Sequence, residues 1–210
     1  MKILTDEIAN EVIGHIEVCK SDSGVMGERL RSAHYELGKT MGRYMACELK
    51  ATHPRDFTVV CLMRSGLFFG MGISDELDCT LLLLDDKNDP QWSNPDPIYT
   101  NRFIAENLLH IQNKTIILAD AVLNTGKSMF SVFNQIAPFA RDVVISVNVV
   151  QERATEALKC KRMYAIRSSK NQFVGANVTH QKDGKGPDTG DRLFKTIHEY
   201  ESANRVSHFV

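Results

Sequence analysis

The stretch TIILADAVLNTGKSM, from Thr115 to Met129, concentrates groups that can hold a sugar phosphate. An apolar run ends on one carboxylate, Asp120. Five residues later Thr125-Gly126-Lys127-Ser128 brings two hydroxyls, a lysine and a row of backbone amides to the start of a helical pattern. Amides at a helix N-terminus, aided by the helix dipole, attract an anion. The ending resembles the tail of a nucleotide-binding P-loop, G-x-x-x-x-G-K-[ST], but the first glycine of that pattern falls on Ala121. Asp120 would also set a carboxylate against a triphosphate, and no apolar strand ending in aspartate follows; TLLLLDD precedes it. One monophosphate on the turn, with two sugar hydroxyls on Asp120, suits these residues better. That ligand is a ribose 5-phosphate.

The elements that must position these groups follow from periodicity. Met26, Leu30, Ala33, Leu37, Met41, Tyr44, Met45 and Leu49 recur at spacings of three and four, which predicts one long amphipathic helix over 26–49. The runs 57–63 (FTVVCLM), 79–85 (CTLLLLD), 115–120 (TIILAD) and 142–150 (DVVISVNVV) read as short buried strands, with helical patterns at 65–77, 126–140 and 152–160 between them. Continuous apolar runs suit strands covered on both faces, hence a parallel sheet between helices in a single domain spanning 1–210. The proline-bearing stretch 85–99 and the polar stretch 168–192 read as long irregular segments able to cover the strand ends.

The segment D-A-V-L-N-T-G-K-S resembles the signature of the type I phosphoribosyltransferases, closest to the D-P-M-L-A-T-G-G-S form of the uracil enzymes. Arg64-Ser65-Gly66-Leu67 resembles the R-A-G-L of that family, and Gly186-Pro187-Asp188-Thr189-Gly190-Asp191-Arg192-Leu193-Phe194 resembles its G-L-G-D-A-G-D-R-L-F. The motifs stand in the family's order and, with a weaker echo in SGVMGERLRSAHYELGKTMGRYMACEL, span nearly the whole chain.

The resemblance implies an α/β parallel sheet flanked by helices, topped by a small base-binding hood from the N-terminal and C-terminal segments. It implies transfer of phosphoribosyl from 5-phosphoribosyl 1-pyrophosphate to uracil, giving UMP and pyrophosphate, as in pyrimidine salvage. Residues 120–128 (Asp120, Ala121, Val122, Leu123, Asn124, Thr125, Gly126, Lys127, Ser128) would hold the ribose and 5-phosphate, and Arg64, Ser65 and Gly66 the pyrophosphate. Asp120 and Arg64 would be catalytic. Magnesium would ride mainly on substrate oxygens and water, with Asp188 joining it through water. Lys87 and Arg102 are candidates for a further basic contact from the covering loop.

Lys182, Gly186, Pro187 and Thr189 would face the base. Here the pattern departs from the family. Pro187 stands at a glycine whose N–H meets a uracil carbonyl, and proline has no N–H. Gln181-Lys182-Asp183-Gly184 replaces the family's Y-I-x-P. Either Gly186 donates instead or the acceptor is another base; a third alternative is a sensor of phosphoribosyl pyrophosphate without catalysis.

Composition narrows the partners. A net charge of −1 and a pI near 6.7 argue against non-specific nucleic-acid or anionic-membrane binding, leaving small molecules or proteins. No apolar run is long enough to span a bilayer and the N-terminus lacks a leader pattern, so a cytoplasmic protein is expected. Five scattered cysteines without a C-x-x-C pair read as buried thiols in a reducing compartment. The family resemblance implies a homodimer; the methionine-bearing face of the 26–49 helix suits either a subunit contact or core packing.

Overall fold

The computed structural model of the chain describes residues 1–49, 53–85, 97–155, 161–170, 172–173, 185–186 and 188–196. In chain order the elements are β1 (Lys2–Ile3), α1 (Thr5–Cys19), α2 (Glu28–Glu48), β2 (Phe57–Leu62), α3 (Leu67–Leu77), β3 (Thr80–Leu84), α4 (Pro97–Glu106) and α5 (Leu108–Ile111). They continue with β4 (Thr115–Leu123), α6 (Lys127–Ile136), β5 (Asp142–Gln151), α7 (Glu152–Thr155), β6 (Met163–Ser169), β7 (Gln172–Phe173), β8 (Lys185–Gly186) and α8 (Thr189–Phe194).

Six strands form one parallel sheet in the order β1-β6-β5-β4-β2-β3, and β7 and β8 pair separately. Every residue of β2 is buried, as a strand covered on both faces requires. Val59, Ile117, Val144 and Ile166 face a core shared with α1, α2 and α3, while Val60, Ile116, Ile145 and Ala165 face a second core shared with α4, α5, α6 and α7. That is the helix-flanked parallel sheet anticipated from the uninterrupted apolar runs.

The differences are local. The strand carrying Asp120 does not stop there: Val122 and Leu123 continue the ladder opposite Val149 and Val150 of β5. Their β-branched and apolar side chains pair where a turn was expected. Helix α6 ends at Ile136, ahead of Pro138, whose ring cannot continue a helix. Pro97 opens α4 rather than extending a loop, a position where its missing N–H costs nothing. The rest of that stretch, 86–96, lies outside the described residues, as does 156–160 of the expected 152–160 helix. Elements α1 and β6 were not anticipated.

Met41 and Met45 are fully buried against α3 and the sheet, so core packing explains the methionine face of α2. Cys19 and Cys61 are buried free thiols, Cys79 is half-buried, and Cys47 is exposed, contrary to the expectation for that residue. Burial pushes the Cys19 and Cys79 thiols up to about 12, which makes them poor nucleophiles.

Helix α2 meets α3 at backbone distance. A Cβ on Gly38 would collide with the Phe69 carbonyl oxygen, and one on Gly72 with the Tyr35 carbonyl oxygen. Because backbone atoms cannot swing aside, Gly38→Ala should destabilise the fold by about 1–3 kcal/mol. Urea unfolding of that variant measures it; an unchanged midpoint would refute the close crossing.

Under the C-terminal ends of β5 and β6 lies a buried polar cluster. His34 of α2, 1% exposed, approaches Asn148 of β5, with 3.4 Å between its Nδ1 and the amide nitrogen. Burial, then the charges of Arg192 and Arg167, lowers its pKa from 6.5 to about 3. Between those values the unfolded chain takes up a proton that the folded chain refuses, so this contribution to stability is complete above pH 6.5 and declines as pH falls. The expected loss is up to about 1.4 kcal/mol per pH unit. Comparing the slope of unfolding free energy from pH 7 to 5 in wild type and His34→Leu tests it: equal slopes would exclude His34 as the source.

Candidate functional site

Neighbouring strands β2 and β4 set their C-terminal ends side by side, with Cys61 opposite Ala119 in the register. The chain leaving β2 and the carboxylate of Asp120 are therefore adjacent. After β2 the backbone turns through Met63-Arg64-Ser65-Gly66 into α3, and the Met63–Arg64 peptide is cis. Gly66 lies directly on the other strand: an added Cβ would stand 2.5 Å from the Ala119 carbonyl oxygen and 2.7 Å from that of Leu62. Only glycine permits this approach.

Ser65 completes the junction. Its Oγ donates to Asp120 Oδ1 at 2.5 Å, and the backbone N–H of Ala121 donates to the same oxygen at 2.7 Å. Two short bonds fix the half-buried carboxylate in place. Asp120 is not a helix cap, because the residue preceding α6 is Gly126, whose φ of 77° is the left-handed conformation that glycine adopts without strain.

The proposed phosphate-holding residues divide into two groups. Ala121 and Leu123 are buried within β4, and Val122 is half-buried there, so their side chains serve the sheet. Asn124, Thr125 and Gly126 form the turn proper, and Lys127 and Ser128 begin α6. Thr125 Oγ1 accepts from the Lys127 N–H at 3.4 Å, and the Lys127 side chain is exposed. The turn with its exposed Thr125 and the N-terminus of α6 thus follow closely on a carboxylate fixed by two hydrogen bonds.

The C-terminal motif joins the same place. Asp188 caps α8, its Oδ1 accepting from the Asp191 N–H at 3.1 Å. Arg64 reaches across to donate from Nη2 to Asp191 Oδ1 at 2.8 Å, and its guanidinium lies 5.8 Å from the centre of the Phe194 ring. A Cβ on Gly190 would stand 2.9 Å from Asp188 Oδ1, so the glycine accommodates the carboxylate that caps α8. Three segments far apart in sequence thus meet through Ser65–Asp120 and Arg64–Asp191.

The hood expected from the two ends of the chain is held by Arg192, 2% exposed. Its guanidinium donates to the carbonyls of Val18, Cys19, Lys20 and Val25 and to Ser23 Oγ at 3.0–3.4 Å. The Gly27 N–H donates in turn to the Arg192 carbonyl at 2.9 Å. The turn at Ser21–Ser23 and β8 lie against each other in the same region.

Of the residues expected to face a base, Thr189 begins α8 half-buried and Gly186 pairs with Phe173 in the β7–β8 ladder, while Lys182 and Pro187 lie outside the described residues. Lys87 lies outside them too. Arg102 is exposed on α4 and paired with Glu106 at 2.8 Å, which matches a solvated helix charge. Asp191 and Arg192 had no assigned part in the sequence reading beyond their motif, and Ser65 was assigned to pyrophosphate, not to a bond with Asp120. Spacing could not reveal them, because Arg64 and Asp191 are separated by 127 residues.

A family model described as phosphoribosyl transferase domain matches residues 40–183. The bifunctional protein PyrR of Haemophilus ducreyi is 28% identical over 97 residues, 45% of this chain and 52% of that protein, so the chain spans about half the length of this relative. Among solved structures, AQ2163 protein from Aquifex aeolicus has a TM-score of 0.61 at 15% identity, covering 92% of this chain and 97% of its own, a likeness of fold. A purine phosphoribosyltransferase from Pyrococcus horikoshii has a TM-score of 0.45 at 14% identity, covering 66% of this chain and 85% of its own. The family model covers well over half of the sequence, and with the parallel sheet between helices it shows that the chain belongs to the type I phosphoribosyltransferase family.

Proposed function

We propose that the protein transfers the phosphoribosyl group of 5-phosphoribosyl 1-pyrophosphate to a nitrogenous base, with uracil as the acceptor. The observation that carries this reading is the Ser65–Asp120 bond. It joins the loop suited to pyrophosphate to the carboxylate suited to ribose, so that both ends of one substrate would be held by one rigid junction.

In that substrate the 5-phosphate rests on the Asn124–Ser128 turn and the ribose hydroxyls donate to Asp120. Pyrophosphate lies along the Arg64–Gly66 turn. The C1–oxygen bond to pyrophosphate breaks as the base nitrogen bonds to C1, and the proton on that nitrogen passes to solvent. A cation-like sugar forms between the two events, favoured by the fixed charge of Asp120, while Arg64 stabilises the departing anion. No side-chain nucleophile takes part.

Magnesium fits the donor set. Among the described residues no three His, Cys, Asp or Glu side chains gather to hold a metal, and hard oxygen donors such as the half-buried Asp188 suit an ion carried mainly by substrate and water. When bound, the ion neutralises charge on the pyrophosphate. As the family resemblance implies, the enzyme would act as a homodimer. Among the described residues no helix is long and apolar enough to cross a membrane.

The acceptor rests on the resemblance of the phosphate turn to the uracil enzymes, and Pro187 favours a second reading, a different base. An unpaired buried carbonyl costs on the order of 1–3 kcal/mol, enough to alter the choice of acceptor.

A pyrophosphate-release assay with phosphoribosyl pyrophosphate, magnesium and a panel of bases led by uracil separates these readings. Turnover with uracil, reduced about 100-fold or more in Asp120→Asn, is the expected result. Turnover with another base only would retain the transferase and discard uracil; no release with any base would discard catalysis and leave a sensor.

A further inference from the structure

Resting on the phosphoribosyltransferase reading, we propose that Asp191 is a positioning residue that holds the Arg64 fork in the orientation in which it meets pyrophosphate. Asp191 is 2% exposed, whereas the Arg64 side chain is 48% exposed, so the pair joins an interior acid to a base at the site's surface. The carboxylate is tightly supported. Its Oδ1 accepts from Thr196 Oγ1 at 2.7 Å as well as from Arg64, and its backbone N–H is fixed by Asp188. The Phe194 ring lies 5.8 Å from the guanidinium, on which it packs.

Among the described residues Arg64 is the one cation paired with this buried carboxylate, which without it would be left as an uncompensated charge, so the pair persists when an anionic substrate arrives. Arg64 uses Nη2 for Asp191, and among the described residues Nε and Nη1 make no other hydrogen bond. Those donors remain for a diphosphate, and the planar fork offers them in a fixed direction. A flexible side chain on an exposed loop would lose rotamer freedom on binding. Asp191 removes that freedom beforehand and ties the grip on pyrophosphate to the seating of α8.

The test is calorimetric titration of magnesium pyrophosphate into wild type, Arg64→Gln, Asp191→Asn and the double variant, alongside the KM for phosphoribosyl pyrophosphate. The expected result is about tenfold weaker binding in Asp191→Asn and no further weakening when Asp191→Asn is added to Arg64→Gln, the mark of two residues acting as a unit. KM should rise by the same factor while kcat changes less. Thr196→Val, which leaves the carboxylate but removes its second donor, should weaken binding about threefold in an Arg64-dependent way and covers the case in which Asp191→Asn does not fold. Equal weakening by Asp191→Asn with and without Arg64, or unchanged affinity in both Asp191→Asn and Thr196→Val, would overturn the positioning role with the functional reading intact. Failure of the wild type to bind pyrophosphate at all would overturn both.

Discussion

The arrangement depends on a buried guanidinium that, among the described residues, is bonded to no carboxylate. Arg192 satisfies its donors with main-chain carbonyls and one serine hydroxyl, all from the segment 18–25. Moving such a group out of water is costly unless each N–H finds an acceptor, and here burial draws its pKa below the usual arginine value. The acceptors are available only while the chain after α1 holds one conformation. The cost of burying Arg192 therefore selects a single seating of α8 against the N-terminal segment. Asp191 and Asp188 inherit their positions from that seating, and Arg64 inherits its own from Asp191.

The other half of the constraint comes from close packing. Gly66 brings the turn after β2 onto the backbone of Ala119 and Asp120, and Gly38 and Gly72 let α2 lie on α3 at backbone contact. Protein interiors transmit small displacements because they are close-packed. Helix α3 starts at the Arg64–Gly66 turn, and α2 binds α8 through the bond from Arg31 Nη1 to the Leu193 carbonyl at 2.9 Å. The two anchors of the site are thereby referred to the same pair of helices. The stack of Arg31, Phe68, Phe194 and Arg64, with spacings of 5.7, 5.8 and 5.8 Å, runs between them on the surface.

How much of this was legible in the sequence depended on the range of the interaction. The runs at 57–63, 115–120 and 142–150 declared buried strands because a strand covered on both faces must be apolar throughout, whereas the run at 79–85 became the edge strand β3, half-buried for most of its length and with Leu83 exposed. By the same measure MYAI at 163–166 is a short apolar run that periodicity alone does not identify. In α1, Val12, Ile16 and Cys19 do recur at helical spacing, but the interspersed acids and isoleucines resemble alternation. Val122 and Leu123 had the right composition for a strand and were assigned to the turn because the motif drew the boundary at Asp120. The motifs marked the Arg64–Gly66 turn and Asp120 separately, while the bond that joins them, from Ser65 to Asp120, links residues 55 apart in sequence and lies beyond what local spacing shows.

The site also divides by the kind of force that shapes each half. Ribose and both phosphate groups would meet groups anchored to β2, β4, α6 and α8, elements fixed by burial and by the Arg192 and Asp191 networks. The expected base contacts at 182–189 belong to a segment whose family pattern has changed at Pro187 and at Gln181-Lys182-Asp183-Gly184. The partners in Ser65–Asp120 and Arg64–Asp191 all lie outside 181–187 in the sequence, so a substitution in that segment removes none of them. Specificity would then vary by substitutions that leave the four paired side chains in the chain. A shift of acceptor and a sensor that still binds phosphoribosyl pyrophosphate would both keep Arg64 paired and Asp120 fixed, so turnover, and not the geometry of those two groups, is what separates them.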